Sequence, residues 1–215
     1  MTYKSKASFS YAGHTYFYPS PNFGPGAAYL PGQDASMDLD SVPAVAAAGF
    51  AWKGAPWTVE FDVTWTQWSS WGRSTAHFSN PTLAVPATET FIFDWKNTWS
   101  YRLGFGYKLN PNWELRWGVL YDQAPVPDQT RSPVLPDSDR WSVQFGTGYT
   151  NKKFTFDWFA MYLKFKNAPI SQDNIYRYGS SGLPSPPYPG MYPVTPDGNY
   201  KGSAILAGMQ IGYHF

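Results

Sequence analysis

The chain has 215 residues, a net charge of +1, only 14% charged but 20% aromatic residues, and no cysteine. The absence of cysteine excludes disulfide and thiolate chemistry, and the near-neutral balance argues against a nucleic-acid partner. Mean hydropathy is negative, −0.41, and no run of about 18 apolar residues exists, so a membrane-spanning helix is excluded.

Soluble domains carry about 25% charged residues. The aromatic excess, with 11 Trp and 16 Tyr, suits the girdles that amphipathic rings form at membrane interfaces. The N-terminus, Met1 to Phe9, has neither an apolar signal core nor a cleavage site, which a chain bound for the outer membrane needs. The expectation is that Met1 is an internal start or a boundary, the signal peptide lying outside this chain.

Eight segments alternate with the period of two that a strand imposes on its faces. Tyr3 to Tyr11 sets Tyr3, Ala7, Phe9 and Tyr11 opposite Lys4, Lys6, Ser8 and Ser10. Ala44 to Trp52 is weaker, with Phe50 and Trp52 on one face. In Trp57 to Trp68, Trp57, Val59, Phe61, Val63 and Trp65 oppose Thr58, Glu60, Asp62, Thr64 and Thr66. Trp99 to Leu109, Trp113 to Asp122 and Trp141 to Tyr149 repeat the pattern, with glycines and isolated charges on the second face. Phe154 to Tyr162 presents Phe154, Phe156, Trp158 and Tyr162. The last segment, 201–215, opposes Ile205, Ala207, Met209, Ile211, Tyr213 and Phe215 to small or polar residues. Each segment is near the roughly 9–11 residues a tilted membrane strand needs.

The connections alternate in length. Lys53 to Pro56, Asn110 to Asn112 and Asn151 to Lys153 are tight turns. About 19–42, 69–97, 123–139 and 166–199 are long segments rich in Pro, Gly, Ser and Asp, expected as loops. Short turns on one side and long loops on the other are the habit of outer-membrane barrels. The expected fold is all-β: an antiparallel transmembrane β-barrel of about eight strands, with an apolar face toward lipid and a polar face toward a lumen. The competing reading, a soluble sandwich, needs a Lys/Glu cover that the polar faces lack.

The stretch Trp113-Glu-Leu-Arg-Trp-Gly-Val-Leu-Tyr-Asp-Gln-Ala-Pro-Val-Pro-Asp128 resembles the FadL family (OMPP1/FadL/TodX) of outer-membrane transporters for long-chain fatty acids and aromatic hydrocarbons. Arg131-Ser-Pro, Leu135 to Trp141, Trp57 to Ser70 and Asn97 to Arg102 are similar in the same order. The resemblance implies a 14-stranded barrel plugged by an N-terminal hatch, of which residues 1–215 match the C-terminal half as one partial barrel domain; the hatch and the early strands are absent. It implies location in the outer membrane of a Gram-negative bacterium. It also implies transport of hydrophobic compounds by capture at extracellular loops and diffusion through the barrel. The partners implied are outer-membrane lipid, a hydrophobic small molecule, and, through the C-terminal strand ending at Phe215, the barrel-assembly machinery, with the chain acting as a monomer. Two alternatives stay open: a non-functional half-barrel fragment, and a small closed eight-stranded barrel, in which strand 2–11 must pair with strand 201–215.

Candidate site residues fall into three groups. Phe17, Phe23, Tyr29 and Leu30 put apolar side chains on the first long loop, which the resemblance implies is the extracellular loop where ligand first lands. Phe159, Met161 and Leu163 share the inward parity of Thr155 and Asp157 and give a greasy lumen wall, suited to a hydrophobic path. Glu60, Asp62, Arg102, Lys108, Glu114, Arg116 and Asp122 are inward charges on neighbouring strands. They read either as a salt-bridged network bracing the lumen or, through Arg102 or Arg116, as a carboxylate-steering device. The three histidines, His14, His77 and His214, lie in separate segments without metal-ligand spacing, and no serine is marked as a nucleophile. No enzyme activity, metal or cofactor is expected.

Overall fold

The computed structural model describes residues 1–15, 32–81, 87–131, 136–170 and 198–214. Eight strands form one antiparallel sheet in the order β1 (Thr2–Lys4), β4 (Val45–Gly54), β5 (Trp57–Thr66), β8 (Thr98–Lys108), β9 (Trp113–Asp122), β10 (Arg140–Thr150), β11 (Phe154–Phe165) and β14 (Ser203–Tyr213). Four more, β2 (Ala7–Thr15), β3 (Gln33–Val42), β6 (Arg73–Phe78) and β7 (Thr88–Ile92), make a second sheet in the order β2-β3-β6-β7. β12 (Ala168–Ile170) and β13 (Gly198–Tyr200) form a two-stranded ribbon.

The tight turns set the register of the large sheet. Asn110 Oδ1 accepts from the backbone N–H of Asn112 at 2.9 Å and of Trp113 at 3.0 Å. Asn151 Oδ1 does the same for Lys153 and Phe154, at 2.8 and 2.7 Å. These are Asx turns, in which a short side chain replaces the ladder at the point of reversal. From them β9 pairs with β8 and β10, and β11 with β10 and β14, rung by rung without a slip.

That register stacks like with like. On the outer face Trp57, Val59, Phe61, Val63 and Trp65 of β5 oppose Tyr107, Phe105, Leu103, Tyr101 and Trp99 of β8. Tyr101, Leu103 and Phe105 oppose Tyr121, Val119 and Trp117 of β9, and these oppose Trp141, Val143 and Phe145 of β10. From β4 to β14 this face carries one charge, Lys164, on the rung of Trp141 near the strand ends. Rings collect at the two ends of the band. Trp57–Tyr107, Trp113–Tyr149 and Phe154–Tyr213 lie 4.7, 4.9 and 5.0 Å apart at the short-turn end; Trp141–Tyr162 lies at 5.9 Å at the other. The eight steps from Trp99 to Tyr107 span ~27 Å along the strand at ~3.4 Å per residue, in keeping with an apolar band ~25 Å tall once tilted.

No second layer covers that band among the described residues. Ile205, Met209 and Ile211 are 81, 77 and 69% exposed, and the buried apolar residues are Ala44, Ala76, Val126, Ala168 and Ile170, all outside the interior of the large sheet's strands. A soluble sandwich would bury this face; here it is presented to the surroundings. The strands do not close on themselves either. Among the described residues β1 pairs with β4 alone and β14 with β11 alone, which excludes the self-closed eight-stranded barrel from this arrangement.

Two expectations are corrected. The segment from Tyr3 to Tyr11 is not one strand: it divides after Lys4, β1 joining the large sheet and β2 the small one. The opposite strand divides as well, between Val42 and Val45, at Pro43. Proline has no N–H to give the ladder, so pairing breaks there. The segments 19–42 and 69–97 are also not bare loops: they contain β3, β6 and β7. β2 and β3 continue β1 and β4 past the break, while β6 and β7 extend β5 and β8, so the small sheet stands on the first four strands of the large one. Trp68, Trp71, Phe93 and Trp95 pack at this joint, Trp71 stacked on Trp95 at 4.8 Å and 6°.

Candidate functional site

The inner face of the large sheet is hollow, with a trough of ≈ 740 Å³ whose walls include Glu60, Arg116, Gln144, Asp157, Phe159 and Met161. Its floor is glycine. Gly104 and Gly118 oppose each other across β8 and β9, and a side chain at Gly104 would meet nothing within 4 Å. Elsewhere a glycine seats a long side chain from the next strand. The Phe159 ring lies over Gly208, and the Glu114 carboxylate lies over Gly106.

The wall formed by β9, β10, β11 and β14 changes character rung by rung. At the long-loop end Asp122 pairs with Arg140, Nε to Oδ2 3.0 Å. The next rung is Leu120–Ser142–Leu163–Ala204, then Gly118–Gln144–Met161–Leu206, then Arg116–Gly146–Phe159–Gly208, then Glu114–Gly148–Asp157–Gln210. An apolar stripe of Leu120, Leu163, Met161, Leu206 and Phe159 thus lies above a charged rung. From the rung of Phe159, Arg116 leans over Gly148 into that charged rung and holds two carboxylates. Its Nη2 lies 3.0 Å from Glu114 Oε2 and its Nη1 2.8 Å from Asp157 Oδ1.

The expected inward charges do not form one continuous network. Glu114 and Arg116 are joined directly, and Arg116 also holds Asp157. Asp122 is joined to Arg140. Arg102 stands in register with Asp62 but donates to Thr64 Oγ1 at 3.3 Å, and among the described residues no ion pair links it to Asp62. Glu60 borders the trough, and Lys108 lies at the strand end, in register with Glu114 but not paired with it. Phe159, Met161 and Leu163 are all on the inner face, as their parity requires; Phe17, Phe23, Tyr29, Leu30 and Phe215 lie outside the described residues.

Sequence reasoning left out Asp157 and Arg140 as partners and Leu120 and Leu206 as apolar wall. The parity that placed Phe159 inward also places Asp157 there. Leu206 has the same parity as the small and polar residues of β14, which masked it as lining.

At the long-loop end residues 121–131 and 136–141 fold into a knot. Arg131, 6% exposed, donates from Nε to Asp137 O at 2.8 Å and from Nη1 to Pro169 O at 3.3 Å, and pairs with Asp128 at 2.7 Å. Asp139 accepts from Tyr121 Oη and from the N–H of Ala124, both at 3.0 Å. Burial lifts the Asp137 carboxyl above the ordinary carboxylate range, against the opposing pull of Arg140 and of the Ser138 N–H.

An apolar, aromatic-rimmed outer band with a single charge near its edge, around a polar-and-apolar hollow, defines the wall of an outer-membrane β-barrel. The chain belongs to the family described as outer membrane protein transport protein (OMPP1/FadL/TodX), whose model matches residues 1–215. It is 29% identical over 127 residues to the long-chain fatty acid transport protein of Escherichia coli K12, covering 59% of this chain and 27% of that protein. It is 32% identical over 94 residues to the putative outer membrane protein NMB0088 of Neisseria meningitidis serogroup B, covering 41% of this chain and 20% of that one. A crystal structure of a Pseudomonas aeruginosa FadL homologue shares the fold, with a TM-score of 0.62 at 23% identity over 97% of this chain and 46% of that chain. The chain therefore spans about a fifth to a half of the length of these relatives. The family is one of outer-membrane transport proteins, not enzymes.

Proposed function

We propose that this chain builds part of the wall of an outer-membrane passage for hydrophobic compounds, and that the inner stripe from Leu120 to Phe159 is the surface they travel along. The observation that carries this reading is the stripe itself. Water-filled barrels line their lumen with polar groups, whereas Met161, Leu163 and Leu206 occupy three inward positions of adjoining rungs. A hydrophobic compound entering from the long-loop end meets this stripe first and the Arg116 rung after it. On the same reading the first long loop, with Phe17, Phe23, Tyr29 and Leu30, captures the compound, and Glu60, Asp62, Arg102 and Lys108 brace the wall beside it. Residues 1–215 act as one partial barrel domain, β14 with Phe215 addresses the chain to the barrel-assembly machinery, and the product is monomeric.

The test is photolabelling in lipid bilayers with a long-chain alkyl probe bearing a diazirine, followed by mapping of the labelled residues. Outer-face residues such as Val119 will label from the lipid regardless. Labelling of Met161, Leu163 or Leu206 that an unlabelled alkane competes away supports the path. Labels restricted to the outer face sink it.

A further inference from the structure

We propose that Glu114 and Asp157, by occupying Arg116, bias the inner trough against anionic head groups, so that the passage favours neutral long-chain compounds such as alcohols over carboxylates. The inference rests on the ligand-path reading above and narrows its substrate class.

Among the described residues Arg116 is the one cation that lines the trough; the other charged residues there are Glu60, Glu114 and Asp157. Three negative charges against one positive leave a net charge of −2. The cation is also engaged. Both terminal guanidinium nitrogens are within 3.0 Å of a carboxylate oxygen, so the bidentate face that Arg offers a carboxylate ligand is already taken. Arg102 and Asp62 stand opposite each other on the next inner rung, where their formal charges sum to zero. Lys108 lies beyond the trough at the strand end.

The order of the rungs makes this charge a filter. An alkyl chain resting on Leu163, Met161, Leu206 and Phe159 brings one of its ends to the Arg116 rung. A hydroxyl there can accept from the Gln144 or Gln210 amide or donate to Asp157, since a hydroxyl both donates and accepts. A carboxylate can only accept. It must either displace Glu114 or Asp157 from Arg116, leaving that carboxylate without its cation, or lie beside uncompensated negative charge. Each course disfavours the anion, and like charges a few ångströms apart inside a half-enclosed wall are screened less than at an open surface.

The experiment uses two diazirine probes with the same alkyl tail, one ending in an alcohol and one in a carboxylate, with the chain reconstituted in neutral phosphatidylcholine bilayers near pH 8. Inner-face labelling is normalised to outer-face labelling of Val119 for each probe. The expected result is about tenfold more normalised inner labelling by the alcohol. The ratio should fall toward one in E114Q/D157N. It should also fall in E60Q, which removes trough charge without touching the ion pairs of Arg116 and so guards against a folding defect in the double variant. Equal or stronger labelling by the carboxylate in the unsubstituted chain overturns the proposal, as does a ratio that neither variant moves. If neither probe labels the inner face, the ligand path fails and the filter falls with it, a result distinct from an inverted ratio.

Discussion

The Phe159 ring of β11 covers the α-carbon of Gly208 on β14: a side chain built at Gly208 would come within 2.6 Å of Phe159 Cε1. The neighbour in the way is the far end of a rotatable ring. At Gly146, on the same rung but on the other side of β11, the obstacle is backbone, Trp158 O at 2.5 Å and the Phe159 α-carbon at 3.3 Å. The two glycines therefore have different sensitivities. Gly208→Ala should turn the ring aside and cost under about 1 kcal/mol, while Gly146→Ala forces the β10–β11 ladder apart and should cost about 1–3 kcal/mol, the usual range for overpacking. Denaturant unfolding in lipid vesicles separates them, and equal losses for the two would contradict the geometry.

Val119 lies mid-strand on the outer face, 46% exposed and flanked by Leu103 and Val143 on its rung. Val119→Lys should destabilise the bilayer-embedded chain by about 2–4 kcal/mol, the range for a charge near the midplane of a barrel's lipid face. Gln144→Lys, on the neighbouring inner rung, should cost much less. A comparison of unfolding free energies in bilayers decides between the two, and a harmless Val119→Lys would remove the lipid-facing assignment.

Arg131 ties three stretches of the long-loop knot together through Asp137 O, Pro169 O and the Asp128 carboxylate. Replacing it with methionine keeps the stem but leaves part-buried carbonyls without donors, at about 1–3 kcal/mol. The loss should be local. Limited proteolysis is expected to nick 123–139 faster in Arg131→Met, with strand protection by hydrogen exchange preserved in β9 and β10.

The Asp137 carboxyl is raised chiefly by burial, with Asp122 adding to the effect and Arg140, Ser138 and Arg131 opposing it. A carboxyl whose folded pKa exceeds its unfolded value binds its proton more tightly in the folded state. It contributes stability that is full below the unfolded pKa and fades as pH rises through the folded one. Amide exchange at 137–139, corrected for its intrinsic pH dependence, should thus report a looser knot on passing from acid to neutral pH. Asp137→Asn should flatten that profile; an unchanged profile would assign the effect to another group.

The large sheet was legible because alternation, tight turns and strand length agreed, and the turns at Asn110 and Asn151 also carried its register. The small sheet was not. β3 alternates Ala35, Met37 and Leu39 with Asp34, Ser36, Asp38 and Asp40, but so many aspartates, depleted in strands, read as loop. The break at Pro43 was visible as a residue, though its effect on the strand opposite depends on pairing that no local pattern states. Inward charges were legible as a set. Their partners were not, because Arg116 chooses Asp157 two strands away, across a glycine, while Arg102 passes over the Asp62 that register sets beside it.

The glycine seats make the calibre of the lumen a property of pairs. Gly106 yields its space to Glu114, Gly148 to Arg116 and Asp157, and Gly208 to Phe159, so volume removed on one strand is refilled from the next. Exchanging the two members of a seat, such as Gly208→Phe with Phe159→Gly, should keep the bore while moving the ring one strand around the wall. The lining can then be re-addressed in place, by swaps that leave its diameter constant and change only which chemistry faces the traffic at a given height.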